Sequence, residues 1–168
     1  MREKIITYIF FIFMGEIMET LTKQKNSTAA LLDRMYKNVK MGADSIINLM
    51  PKVQREELRT EMTTELSKLE EYSTQINKMI SEEGAEAKEE NVVSRMSAKM
   101  GMAMNTMMDS TTNHIAEMMM EGYTMGIADM TKDIREYENT TASEASLKLA
   151  REVVNYYERC YDRMKKFL

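Results

Sequence analysis

His114 is the chain's single histidine, and it falls on a seam that can be followed in alternating steps of four and three residues. The seam reads Val93, Ser97, Met100, Met104, Met107, Thr111, His114, Met118, Glu121, Met125. Such steps trace one face of an α-helix. Methionines suit a buried stripe; Thr111, His114 and Glu121 do not. An imidazole and carboxylates on one face are the donor types that hold iron, zinc or manganese. Glu117 stands three residues beyond His114, and Asp129 lies a turn beyond Met125. The corresponding seam on the preceding segment is Leu58, Met62, Glu65, Leu69, Tyr72, Ile76 and then Ile80 or Met79, with Glu65 as its one acid. The candidate metal residues are therefore Glu65, His114, Glu117 and Glu121. His114 and Glu121 are about 10 Å apart along a helix at 1.5 Å per residue, too far to share one ion by themselves. The alternative is structural: a neutral His114 hydrogen-bonded to Thr111, Glu65 or a tyrosine, because an unpaired buried polar group costs about 1–3 kcal/mol.

The second chemical feature is methionine. Eleven of the twenty lie between Met96 and Met130. Thioethers favour Cu(I), and Met100, Met102, Met104, Met107 and Met108 offer Met-x-Met and Met-x-x-Met spacings. The same residues also serve as adaptable core filling. Met102 and Met120 point off the seam, which suggests a homodimer contact or protein partner on exposed methionine and apolar residues of this third helix. No nucleophile constellation, glycine-rich phosphate loop or paired-carboxylate cleft is visible, so catalysis has no support. Cys160 lies on the apolar side of the closing helix and reads as a core thiol. As the only cysteine it excludes an internal disulfide and fits a reducing, cytoplasmic setting.

The elements that position these residues follow from composition. The chain has 168 residues, 43% of them apolar and 30% charged, with one Pro and six Gly. So little turn material implies few long elements with short links, hence an all-α protein. The net charge of −4, with no basic run interleaved with aromatics, argues against nucleic-acid binding. A first helix should start near Asn26-Ser27-Thr28, all good capping types, and bury Leu31, Leu32, Met35, Val39, Gly42, Ala43, Ile46, Leu49 and Met50, with Tyr36 at the margin. Pro51 stops it. The second runs from about 52 to 82 and ends at Gly84. The third starts near Asn91 and continues to Tyr137, some 45 residues, with a kink near Gly122–Gly126. Ser143 and Ser146 can cap the fourth, which is expected to bury Leu147, Ala150, Val153, Val154, Tyr157, Cys160, Tyr161 and Met164. The expected architecture is an antiparallel up-down-up-down four-helix bundle over residues 26–168.

Residues 1–25 form a separate tail. An apolar run, Ile5–Met14, follows Arg2 and Lys4. It is shorter than the roughly 20 residues of a membrane span. It resembles the apolar part of a signal peptide but lacks a small-x-small cleavage site. Three readings stand: a mis-called start with Met18 as the true first residue, an export signal or membrane anchor, and a genuine apolar tail.

The chain resembles the ferritin-like superfamily, specifically its small bacterial members, over roughly residues 27–168. The resemblance rests on two long helical pairs, Leu32 to Tyr36 in the first helix, Glu121-Gly122 followed by Met125-Gly126-Ile127, and Tyr156, Tyr157 and Glu158 in the closing helix. Ferritin-like spore-coat proteins are similar in the first helical pair, from Leu58-Arg59 onward, but their Gly-Trp-Tyr signatures are missing here. The resemblance implies a four-helix bundle. Di-iron members place a Glu on each of two helices and a Glu-x-x-His on each of the other two. No Glu-x-x-His occurs here; His114 and Glu117 give the reversed order, and the remaining acids cannot complete six ligands. The resemblance therefore implies a non-catalytic structural or interaction module, or alternatively a reduced metal site around Glu65, His114 and Glu121.

Overall fold

In a computed structural model of the chain, residues 2–85 and 110–168 are described, with side chains from residue 13 onward. Helices and turns account for them, and no strand occurs among the described residues. Among the described residues there are four long helices: α1 (Arg2–Leu49), α2 (Glu56–Glu82), α3 (Thr112–Tyr137) and α4 (Glu144–Met164). Short 3-10 turns follow α1 (Met50–Lys52) and α4 (Lys165–Phe167).

Local chemistry explains most of the boundaries. Pro51 lacks an N–H and ends α1 in the first of those 3-10 turns. Glu56 and Glu57 sit in the first turn of α2, where the helix dipole favours negative charge. Gly84 closes α2 with φ of 68°, a left-handed conformation that strains side chains with a Cβ. The Ala85 amide then reaches back to the Ile80 carbonyl at 3.2 Å. Thr111 caps α3, its hydroxyl accepting from the His114 amide at 3.3 Å. Ser143 caps α4 in the same way, accepting from the Ser146 amide at 3.2 Å.

One expectation fails at the start of α1. The helix does not begin at Asn26-Ser27-Thr28 but runs through them. Those residues serve a different end. The Thr28 hydroxyl accepts from the Ser143 amide at 2.9 Å, and Ser27 lies 3.4 Å from the Thr141 hydroxyl. A side chain able to cap its own helix instead ties α1 to the turn between α3 and α4.

One core joins all four helices. Leu31, Leu32, Met35, Val39, Ala43, Ile46 and Leu49 are buried from α1, while Gly42 and Met50 of its expected face are half-buried; on α2 Leu58, Met62, Glu65, Leu69, Tyr72, Ile76 and Ile80 are buried and Met79 is half-buried. On α4 the buried face includes Leu147, Ala150, Val153, Tyr157, Cys160 and Met164, while Val154 and Tyr161 of the expected face are half-buried. Residue numbers along α1 fall on α3 as they rise: Arg34 pairs with Asp133 and Glu136, and Asn38 donates to the Gly126 carbonyl at 3.1 Å. Between α1 and α4 they rise together, with Thr28 at Ser143 and Gly42 against Tyr157. Between α1 and α2 they run oppositely, with Gly42 against Leu69 and Lys25 at Gly84. The strictly alternating order expected from the sequence would set α1 and α3 parallel; these pairs run the other way. The chain leaves α2 at the end that holds Lys25. It returns as α3, which packs on the Lys165–Phe167 turn at the opposite end.

Helix α3 corrects two further expectations. It is unbroken through Gly122 and Gly126. Its buried face is Ile115, Ala116, Met119, Tyr123, Gly126, Met130, Ile134 and Tyr137, not the seam through Thr111, His114, Met118, Glu121 and Met125. Thr111 starts a new helix, so a phase counted from Val93 does not carry across it. A strict seven-residue count also drifts by about 20° per heptad on a straight helix. The upstream seam residues Val93, Ser97, Met100, Met104 and Met107, with Met102 and Met108, lie outside the described residues.

Candidate functional site

The polar feature inside the core is centred on Glu65. It stands one turn after Glu61 on α2, so both carboxylates face α4. The Glu65 residue is 1% exposed. From α3, the Tyr123 hydroxyl donates to Glu65 Oε2. From α4, Arg163 donates through Nε to Glu61 Oε1 at 2.5 Å and through Nη2 to Glu65 Oε1 at 3.4 Å. The same Nη2 lies 3.1 Å from Cys160 Sγ. Lys166, in the closing 3-10 turn, donates to Glu61 Oε2 at 2.9 Å. The Arg163 guanidinium also stands 5.7 Å over the Tyr156 ring, which meets Tyr72 edge-on at 5.7 Å.

Burial sets the electrostatics. It pushes the Glu65 carboxyl above the usual carboxylate range, against the opposing pull of the Tyr123 hydroxyl and Arg163. Glu61 also feels burial, but Lys166 and Arg163 together outweigh it and hold the group below its ordinary value. Burial, then the nearby Glu65, drives the Tyr123 hydroxyl well up. The Cys160 thiol is pushed up to about 12, first by burial and then by Glu65. Two acids thus face two cations, and the tyrosine and the cysteine hold their protons. The arrangement is a closed ion-pair network that fixes the register of α2 on α4.

The sequence-derived metal residues are not brought together. Glu65 is in the core. His114 is on the surface, its side chain 39% exposed, with Nδ1 3.6 Å from Glu117 Oε2. Glu117 is 56% exposed and accepts from Asn113 at 3.2 Å. Glu121 and Asp129 are exposed. The physical reason is the phase of α3: Tyr123, not His114 or Glu121, faces Glu65. Among the described residues no three of His, Cys, Asp and Glu are grouped to hold an ion. The carboxylate oxygens of Glu65 and Glu61 already accept from Tyr123, Arg163 and Lys166, so the donor set of this site does not fit a metal. The third-helix methionines within the described residues give little contact surface. Met119 and Met130 are buried, Met118 and Met120 are half-buried against the core, and only Met125 is exposed, at 41%.

Sequence reasoning found Glu65 and missed its partners. A usable signal exists: Arg163 stands three residues after Cys160 at the margin of the apolar face of α4, where a lone basic residue calls for an acid on a neighbouring helix. Compared with known proteins, the chain matches no family model, no curated protein and no solved structure. No helix among the described residues is long and apolar enough to cross a membrane.

Proposed function

We propose that this protein is a ferritin-like helical bundle that works as a non-catalytic structural or interaction module. The observation that carries the reading is the neutralisation of the buried Glu65 by protein groups. Where the superfamily's metal-binding members use ions, the core of this chain offers Arg163 and Tyr123 as counterparts to its carboxylate. The helix pairing supports the bundle. Numbers rise together on α1 and α4 and oppose each other on α1 and α3, the order expected when one long connection crosses between the second and third helices, as in ferritin-like folds. The lone buried thiol supports a reducing, cytoplasmic setting.

The reading is tested by elemental analysis of the full chain purified without a histidine tag, beside the Glu65→Gln and His114→Ala variants. The expected result is no stoichiometric iron, zinc or manganese in any of the three. A stoichiometric metal in the wild type that disappears in Glu65→Gln would overturn the reading in favour of a metal-binding protein.

A further inference from the structure

We infer that the N-terminal part of α1 lies on an anionic lipid surface. The inference deepens the proposed interaction role by naming what this element binds. Every side chain from Phe13 to Asn26 is exposed. Within that stretch, Phe13, Met14, Ile17, Met18 and Leu21 share one side of the helix at about 100° per residue, while Glu16, Glu19 and Lys23 take the other. The apolar side continues the core face of the same helix: Met14 and Leu21 stand at seven-residue steps from Thr28 and Met35, both of which are buried. The core stripe therefore runs on past the other helices with nothing seated on it among the described residues.

Composition decides between occupants. Preceding Phe13, the helical run from Ile5 is apolar or aromatic at every step but Thr7. The boundary between headgroups and acyl chains takes the apolar side of such a helix while Glu16, Glu19 and Lys23 stay on its wet side. From Ile5 to Leu21 the helix is about 25 Å long, too short and too acidic at Glu16 and Glu19 to span, and suited to lie in the interface plane. Basic residues flank it at both ends, Arg2 and Lys4 before and Lys25 after, while Lys23 is paired with Glu19 at 2.7 Å. Residues 1–25 hold four basic side chains against three acidic ones, in a chain whose net charge is −4. Anionic headgroups complement those ends, and the acyl boundary takes the apolar stretch.

The test is co-sedimentation of the full chain with vesicles of three parts phosphatidylcholine to one part phosphatidylglycerol, beside the double variant Phe13→Glu, Ile17→Glu and the single variant Met18→Glu. These side chains are exposed, so thermal melting of the core should match wild type in both. The expected result is vesicle binding by the wild type, weakened at least about tenfold in the double variant, because two charges replace inserted apolar groups. Equal sedimentation of wild type and variants overturns the inference. So does a wild-type dimer in light scattering that the variants dissociate and vesicles do not. Metal content is read separately, so a failure here leaves the proposed function standing, and a bound metal leaves this inference standing.

Discussion

At Glu65 a carboxylate is held in the core by a hydroxyl, a guanidinium and the surrounding apolar side chains, and its protonation couples to folding. Its folded-state pKa is raised, so the native state holds the proton to higher pH than the unfolded chain does. The stability this contributes is full below the ordinary value near 4.5 and is lost as pH rises through the folded value. Glu65→Gln keeps an acceptor for Tyr123 and removes the titration. Thermal melts from about pH 4 upward should therefore show the difference between variant and wild type moving in the variant's favour as pH rises. A constant difference would mean that Glu65 does not titrate on folding. Cys160 gives a second readout. Buried and pushed up to about 12, the thiol should react with a disulfide reagent at least about a hundredfold more slowly in the native protein than in urea.

At the scale of the helix, two glycines on α3 separate packing from propensity. A Cβ at Gly126 would stand 3.0 Å from Tyr157 Cε2 and 3.4 Å from Asn38 Oδ1, while one at Gly122 would meet nothing within 4 Å. Gly126→Ala should destabilise by about 1–3 kcal/mol through overpacking. Gly122→Ala should stabilise by about 0.5–1 kcal/mol through helix propensity. Urea titration of the two variants checks the opposite signs. The pair also shows what a sequence pattern hides. Gly122 and Gly126 look alike as markers of a kink, but one lies where α1 and α4 approach α3 closely and the other faces open space. The phase of α3 was hidden for a related reason. Its buried positions, from Ile115 to Tyr137, become legible only once Thr111 is known to start a helix.

Across the whole molecule, apolar burial and surface ion pairs contribute unequally. Arg34 spans from α1 to Asp133 and Glu136 on α3 with its side chain 41% exposed, while Leu31 nearby is fully buried. Arg34→Met should therefore change stability by less than about 1 kcal/mol. Leu31→Ala should lower it by about 2–5 kcal/mol, as chemical denaturation can measure. The all-α class, the C-terminal ends of α1 and α2, the cap of α4 and most of the buried faces of α1, α2 and α4 were legible in the sequence. Each depends on neighbours three, four or seven residues away, and those distances are fixed by the helix itself. The partners of Glu65, the surface position of His114, the relative directions of α1 and α3 and the exposure of the first part of α1 were not. They depend on how separate helices are rotated and ordered about a shared core. That rotation comes from contacts between helices, Tyr123 of α3 and Arg163 of α4 on Glu65 of α2, and Gly126 of α3 against Asn38 of α1 and Tyr157 of α4, which no spacing along the chain encodes.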